Sequence, residues 1–176
     1  GQLWVRGKFY GLTQNYFEIF NLSVKYNLNL TQLEEGYKAI LKSIHPDRFI
    51  NASDNEKNLA MIKSTQVNDA YQTLKNPIRR AQYILELNQI IPDKSLGNDF
   101  LMQQMEYEET LEDLNDKNGL DAFKLEIDVK LSSELGCIEN NIDHKSDLIE
   151  ASYHLLKATF LAKLAEKIKL KSLHLD

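Results

Sequence analysis

The chain has 176 residues, 43% of them hydrophobic and 27% charged, with a mean hydropathy of −0.43; this composition suits a globular protein in water, as one domain or two small ones. No apolar run approaches the roughly 18 residues of a bilayer-spanning helix, which leaves a membrane role without support. A net charge of −5 and a pI near 5.4 weigh against nucleic acid as a partner, and the lone cysteine, Cys137, excludes an internal disulfide and a cysteine-built metal or iron–sulfur site.

Residues 1–14, opening with GQLWVRGKFYGL, lack both an initiator Met and the long apolar core of a secretory signal, and are set apart as a leader or processing remnant. Tyr16, Phe17, Ile19 and Phe20 then begin a short apolar element. A helix is predicted from Thr31, with Thr31 as cap and Glu34 completing a capping box, and with Leu33, Tyr37, Ile40, Leu41 and Ile44 along one face. It must stop at Ile44-His45, because Pro46 lacks an amide proton and drives the residue before it out of the α region. Ser53 and Glu56 form a second capping box, followed at helical spacing by Leu59, Ile62, Gln66, Ala70, Tyr71 and Leu74. Asn76-Pro77 breaks this pattern and IRRAQYILELN briefly resumes it. QIIPDKSLGND, with Pro92, Gly97 and several turn formers, is the seam between two domains.

Three further helical patterns follow, near 99–116, 119–136 and 145–171, the second carrying Leu120, Phe123, Ile127, Leu131 and Leu135 as one stripe. Strand alternation and internal repeats are missing, so the fold class read from the sequence is all-α, in two small domains. The charged runs LAKLAEKIKLK and EYEETLEDLNDK read as solvated helix faces.

Two places carry more than packing information. His45-Pro46-Asp47 holds two hydrogen-bonding side chains on a stiff proline in a helix–helix loop. Taken alone, the tripeptide is either a proline corner that satisfies orphan backbone groups or a docking point for a partner. A catalytic reading lacks a nucleophile motif or a phosphate loop, and a metal reading lacks ligands, since His144, His154 and His174 have no suitably spaced cysteine or carboxylate partners. No cofactor is expected. The second place is the helix near 99–116. Phe100, Tyr107, Leu111 and Leu114 make its core stripe, while Leu101, Met102 and Met105 form another apolar face, shared or bordered by Glu106, Glu109, Glu112 and Asp113. That face is either a carboxylate-rimmed docking site with adaptable methionines or a second core face of a sandwiched helix.

As a set, the helix, the His45-Pro46-Asp47 loop, the second helix and QVNDAYQTLKNPIRRAQY at residues 66–83 resemble the J-domain family over residues 15 to 88. The resemblance implies an antiparallel helical hairpin with the loop at its tip. It further implies that His45, Pro46 and Asp47 stimulate ATP hydrolysis by a heat-shock ATPase chaperone, with Lys42 and Arg48 adding positive charge along the docking helix. Ile44 departs from the tyrosine that many members place there.

FLMQQMEYEETLEDL at 100–114 and ATFLAKLAEKI near the end are similar to the C-terminal domain of the HscB family, J-type co-chaperones of bacterial iron–sulfur cluster assembly. This likeness implies a linker at 89–98 and a three-helix bundle at 99–176. It also implies partnership with an HscA-type chaperone and with an IscU-type cluster scaffold, the latter held by Leu101, Met102, Met105, Glu106, Glu109, Asp113 and Phe160. Met105 and Asp113 are conservative variants of the family's leucine and glutamate. The cysteine-pair zinc module of longer eukaryotic relatives has no counterpart here, so a bacterial-type, cytoplasmic adaptor without catalytic chemistry is expected, with weak homodimerisation as its one self-contact. The rival expectation is a J-domain co-chaperone or helical adaptor for a different client.

Overall fold

A computed structural model describes residues 14–175 of the chain. Helices and turns make up all its regular structure, with no strand among the described residues, so the chain is all-α, as its apolar spacing predicts. It divides into two compact units between Gln89 and Ile90. The expected leader, apart from Gln14, lies outside the described residues.

The first unit opens with a one-turn helix, α1 (Tyr16–Ile19), capped by Asn15, which places Phe17 in the core. Helix α2 (Leu30–Ser43) starts one residue before the predicted Thr31. Asn29, not Thr31, is its cap, with Oδ1 accepting from the Gln32 amide at 3.1 Å; Asn ranks at least as high as Thr at this position, and the box with Glu34 is not used. Instead Glu34 pairs with Lys38 on the helix surface. The helix ends at Ile44, where Pro46 requires it to, and a single 3₁₀ turn, Pro46–Phe49, follows. Helix α3 (Asp54–Lys75) begins where expected, with Ser53 Oγ accepting from the Glu56 amide at 3.2 Å. Asn76 closes α3 and also caps α4 (Pro77–Leu87), its Oδ1 accepting from Ile78 and Arg79 while Pro77 occupies the first helical position, which needs no donor.

The predicted apolar stripe of α3 is correct only over its second half. Ala70 and Leu74 are fully buried together with Val67, whereas Leu59 and Ile62 are 66% and 55% exposed. Helices α1, α2 and α4 and the 3₁₀ turn all pack on α3, but all its buried residues lie at Val67 or beyond, so its N-terminal half is not covered by the described residues. Mid-hairpin, the Tyr37 and Tyr71 rings stack with centroids 3.9 Å apart, and the Tyr37 hydroxyl donates to Asn68 Oδ1 at 2.9 Å. Buried Arg80 lies over the Tyr26 ring at 4.9 Å.

Tyr83 fastens α1 to α4. Its ring stacks on Tyr16 at 4.5 Å, and its hydroxyl oxygen accepts from the Tyr16 amide at 2.9 Å. Burial pushes the phenol up to about 12 and outweighs the opposing effect of that amide. The folded state therefore holds the neutral phenol, and its contribution is complete below the ordinary value of 10.0 and lost as pH rises from there through about 12. Tyr83→Phe should flatten the alkaline limb of a denaturant-stability profile, and at neutral pH it should cost about 1 kcal/mol for the lost bond.

Residues 90–97 form no regular structure. Within them Asp93 accepts from the Ser95 amide and hydroxyl at 3.0 and 2.7 Å, and these bonds hold its carboxyl below the usual range. The second unit comprises α5 (Asn98–Asp113), α6 (Lys117–Glu139), a π turn at Asn140–His144 and α7 (Leu148–Leu173). Their bounds fall within a few residues of the three predicted patterns. A Cβ at Gly119, beside the α6 cap, would lie 2.8 Å from Asp116 Oδ1 and 2.9 Å from Leu114 Cδ2, so a larger residue there would displace the capping carboxylate and the Leu114 side chain. Tyr107, Leu120, Phe123, Ile127, Leu161, Leu164 and Ile168 build the core, with Leu111, Leu114 and Leu131 against it. His154 ties α7 to α6 through Glu134 and also faces Glu150.

Candidate functional site

Two surfaces stand out, one on each unit. On the first, the chain leaves α2 at Ile44 in a non-helical conformation and His45 becomes the cap of the 3₁₀ turn. Its Nδ1 accepts from the Asp47 amide at 3.2 Å, and the Arg48 amide donates to the His45 carbonyl at 2.9 Å. With Nδ1 used as acceptor, the neutral ring carries its proton on Nε2, as a donor free for a partner. The Asp47 carboxylate lies 3.5 Å from Nδ1, and the two side chains are 59% and 82% exposed.

The geometry therefore presents a donor, a fixed-φ proline and an acceptor within three residues. It brings His45, Pro46, Asp47 and Arg48 together at the tip, with Lys42 exposed in the last turn of α2. Lys42 and Arg48 are thus available for a partner's carboxylates. Such a fixed, solvent-facing constellation suits recognition; it lacks the water-excluded cavity that gives active-site dipoles their strength.

Beside the tip runs an apolar groove of about 550 Å³, whose walls include Ile44, Pro46, Phe49, Ile50, Ala60 and Met61. Ile50 and Met61 are 67% and 68% exposed. Little in the sequence points to this groove, because it joins a loop to the half of α3 whose apolar residues helical spacing assigns to the core. Its one signal was apolar density on both sides of the proline corner.

On the second unit, the second apolar face of α5 is not a core face. Phe100 and Tyr107 are buried, whereas Leu101, Met102 and Met105 are 52%, 60% and 60% exposed. Counting about 100° per residue, Leu101 and Met105 lie together with Glu109 and Glu112, while Met102, Glu106 and Asp113 form the adjoining row. All four acidic residues are exposed. The face is held flat on the core by Phe100 and Tyr107, and Lys171 of α7 donates to the Leu111 and Glu112 carbonyls near the C-terminus of α5. Phe160 is the predicted residue that comes from another helix. It is half-buried, edge-on to Phe100 at 5.8 Å and nearly parallel to Tyr107 at 6.5 Å, so it is engaged with the core side of α5.

No group of three or more His, Cys, Asp or Glu side chains among the described residues could hold a metal ion. No helix among them is long and apolar enough to cross a membrane.

Comparison with known proteins bears on both surfaces. Residues 15–83 match the DnaJ domain model, and residues 97–169 match the model described as the HSCB C-terminal oligomerisation domain. The co-chaperone protein HscB homolog of Colwellia psychrerythraea is 44% identical over 124 residues, covering 68% of this chain and 71% of that protein. That of Shewanella woodyi is 36% identical over 160 residues, covering 85% and 92%. Among solved structures, chaperone HscB from Vibrio cholerae superposes with a TM-score of 0.84 at 34% identity, covering 93% of this chain and all of that one. Human co-chaperone HscB gives 0.86 at 29% identity, covering 90% and 82%.

Proposed function

The chain belongs to the HscB family of co-chaperones, which serves iron–sulfur cluster assembly, and we propose that it does so by joining two proteins through its two surfaces. The J-domain, residues 15–88, engages an HscA-type heat-shock chaperone with His45, Pro46, Asp47, Lys42 and Arg48. The C-terminal domain, residues 99–176, holds an IscU-type scaffold on Leu101, Met102, Met105, Glu106, Glu109, Asp113 and the edge of Phe160. ATP hydrolysis then tightens the chaperone on the delivered scaffold and promotes cluster transfer. The cluster is cargo carried by the partner, since this chain offers a single cysteine. The protein acts in the cytoplasm, and its second domain self-associates weakly.

The observation that carries the reading is the exposure of both constellations on separate compact units: a fixed His-Pro-Asp tip on one and a methionine-rich, carboxylate-rimmed face on the other. Neither contributes its exposed side chains to a core, so each is available for a partner. The apolar groove beside the tip enlarges the chaperone-facing surface. The test is steady-state ATP hydrolysis by an HscA-type chaperone with its scaffold, with and without this protein. Stimulation that depends on the protein supports the reading, and an unchanged rate with competent partners refutes it.

A further inference from the structure

Helices α5 and α7 run side by side in the same direction. Phe100, near the start of α5, meets Phe160 and Lys157; Glu108 pairs with Lys167 at 3.2 Å, and Lys171 reaches the carbonyls of Leu111 and Glu112. With this register and α5 beginning at Asn98, the first two turns of α7, from Leu148 to Leu155, extend past it. There Ala151, Ser152 and Leu155 are buried, whereas Ile149 and Tyr153 are 53% and 36% exposed. Ile149, Tyr153, Leu156 and Phe160 follow one another at intervals of four, three and four residues, one stripe of a helix. The stripe ends at Phe160, whose ring meets Phe100, the residue before Leu101.

The two sides of this surface carry opposite charge. On the α5 side lie Glu106, Glu109, Glu112 and Asp113, all exposed. On α7, Lys157 and Lys163 lie about one turn before and one turn after Phe160. Among the described residues neither lysine has a carboxylate partner, unlike Lys167. Lys157 is half-buried, with its ammonium 5.8 Å from the centre of the Phe100 ring. A cation held over an aromatic face is fixed in place without being neutralised, which lowers the ordering cost of a later ion pair.

We infer that the scaffold-holding face crosses from α5 onto α7, where Ile149 and Tyr153 take further apolar surface of the scaffold and Lys157 takes one of its carboxylates. The inference rests on the reading above that α5 holds an IscU-type scaffold. It adds the chemistry that the scaffold must present: an apolar centre with basic groups toward α5 and an acidic group toward α7. A rim of one sign would accept a partner turned end for end. With opposite signs, the reversed pose sets Lys157 against a base and the α5 carboxylates against an acid, so the charges fix the scaffold's orientation. Tyr153, an aromatic ring beside an apolar patch, is of the anchor type enriched in such contacts.

Isothermal calorimetry of the full chain with the scaffold tests this, with the Leu101→Ala, Met105→Ala double variant as reference for the α5 face. Lys157→Met keeps the apolar stem over Phe100 and removes the charge. It should weaken binding about threefold to tenfold at low salt, with the gap closing toward about 1 M salt. Lys157→Glu should weaken it at least about 30-fold, and Tyr153→Ala about tenfold. Among scaffolds carrying single Asp or Glu to Lys changes, one should bind Lys157→Glu more tightly than the parent, which a lysine that merely covers Phe100 would not produce. Circular dichroism of each variant should match the parent; if Lys157→Glu alone departs, the salt-dependent gap of Lys157→Met decides. Parent-like affinity of Lys157→Glu or of Tyr153→Ala, beside lost binding in the α5 double variant, would overturn the extension onto α7 and leave the α5 reading standing. Parent-like affinity of the double variant would strike that reading instead, and a parent that does not bind the scaffold would overturn both.

Discussion

Replacing His45 by glutamine should return the chaperone's stimulated ATPase rate to its basal level, while scaffold affinity stays within about twofold. The imidazole is 59% exposed and touches only its own turn among the described residues, accepting the Asp47 amide at 3.2 Å beside the Asp47 carboxylate at 3.5 Å. Its removal therefore threatens a turn and leaves the core intact. What disappears is a rigid ring whose Nε2–H and neighbouring carboxylate are pre-aligned for a partner. Glutamine can offer similar groups, but on three freely rotating bonds, and the ordering cost falls on binding. Circular dichroism and thermal midpoints of parent and variant should coincide. A variant that still stimulates like the parent would show that the tip is only a corner between helices. Lys42→Ala and Arg48→Ala should produce graded, salt-dependent losses, since exposed charges act chiefly through encounter.

The double change Leu101→Ala, Met105→Ala should have the converse effect. Each side chain is more than half exposed, so truncation leaves folding stability nearly unchanged, whereas a buried counterpart would cost several kcal/mol. If the α5 face holds the scaffold, each truncation removes about 1 to 2 kcal/mol of binding. Together they weaken it by roughly 30-fold to 1,000-fold, at 1.4 kcal/mol per decade. Isothermal calorimetry would read this directly. Chaperone stimulation measured without scaffold should persist, because His45 and its neighbours lie on the other unit. Folded protein in which each of the two changes damaged both activities would contradict the division of labour.

Local signals in the sequence held best where one residue leaves the backbone little choice. Pro46 ends α2, Pro77 can only begin α4, and the Ser53–Glu56 pair marks the start of α3. At the start of α2 two good caps compete two residues apart, and Asn29 prevails over Thr31. Helical spacing distinguishes the face of a helix but does not say how far along that face a neighbour extends. Leu59 and Ile62 therefore share the right stripe with Leu74 and yet stand in solvent. The same gap left Leu101 and Met105 undecided between core and surface, since only the positions of α6 and α7 reveal that α5 is covered on one side. The groove near Pro46 was least legible, because its walls come from a loop and a helix whose separation no periodicity encodes.

The uneven cover of α3 has a consequence for how the hairpin breathes. The stacked Tyr37 and Tyr71 rings, the Tyr37–Asn68 bond and the buried Val67, Ala70 and Leu74 fix one end, whereas the segment from Asp54 to Lys63 buries no side chain. Local opening free energy follows buried contact density. In hydrogen–deuterium exchange, amides of α3 from Asn58 to Lys63, beyond the unbonded first turn, should therefore exchange through fraying well before those of Val67 to Leu74. The tip bearing His45 can then adjust to a docking surface at small cost while the base of the hairpin stays closed.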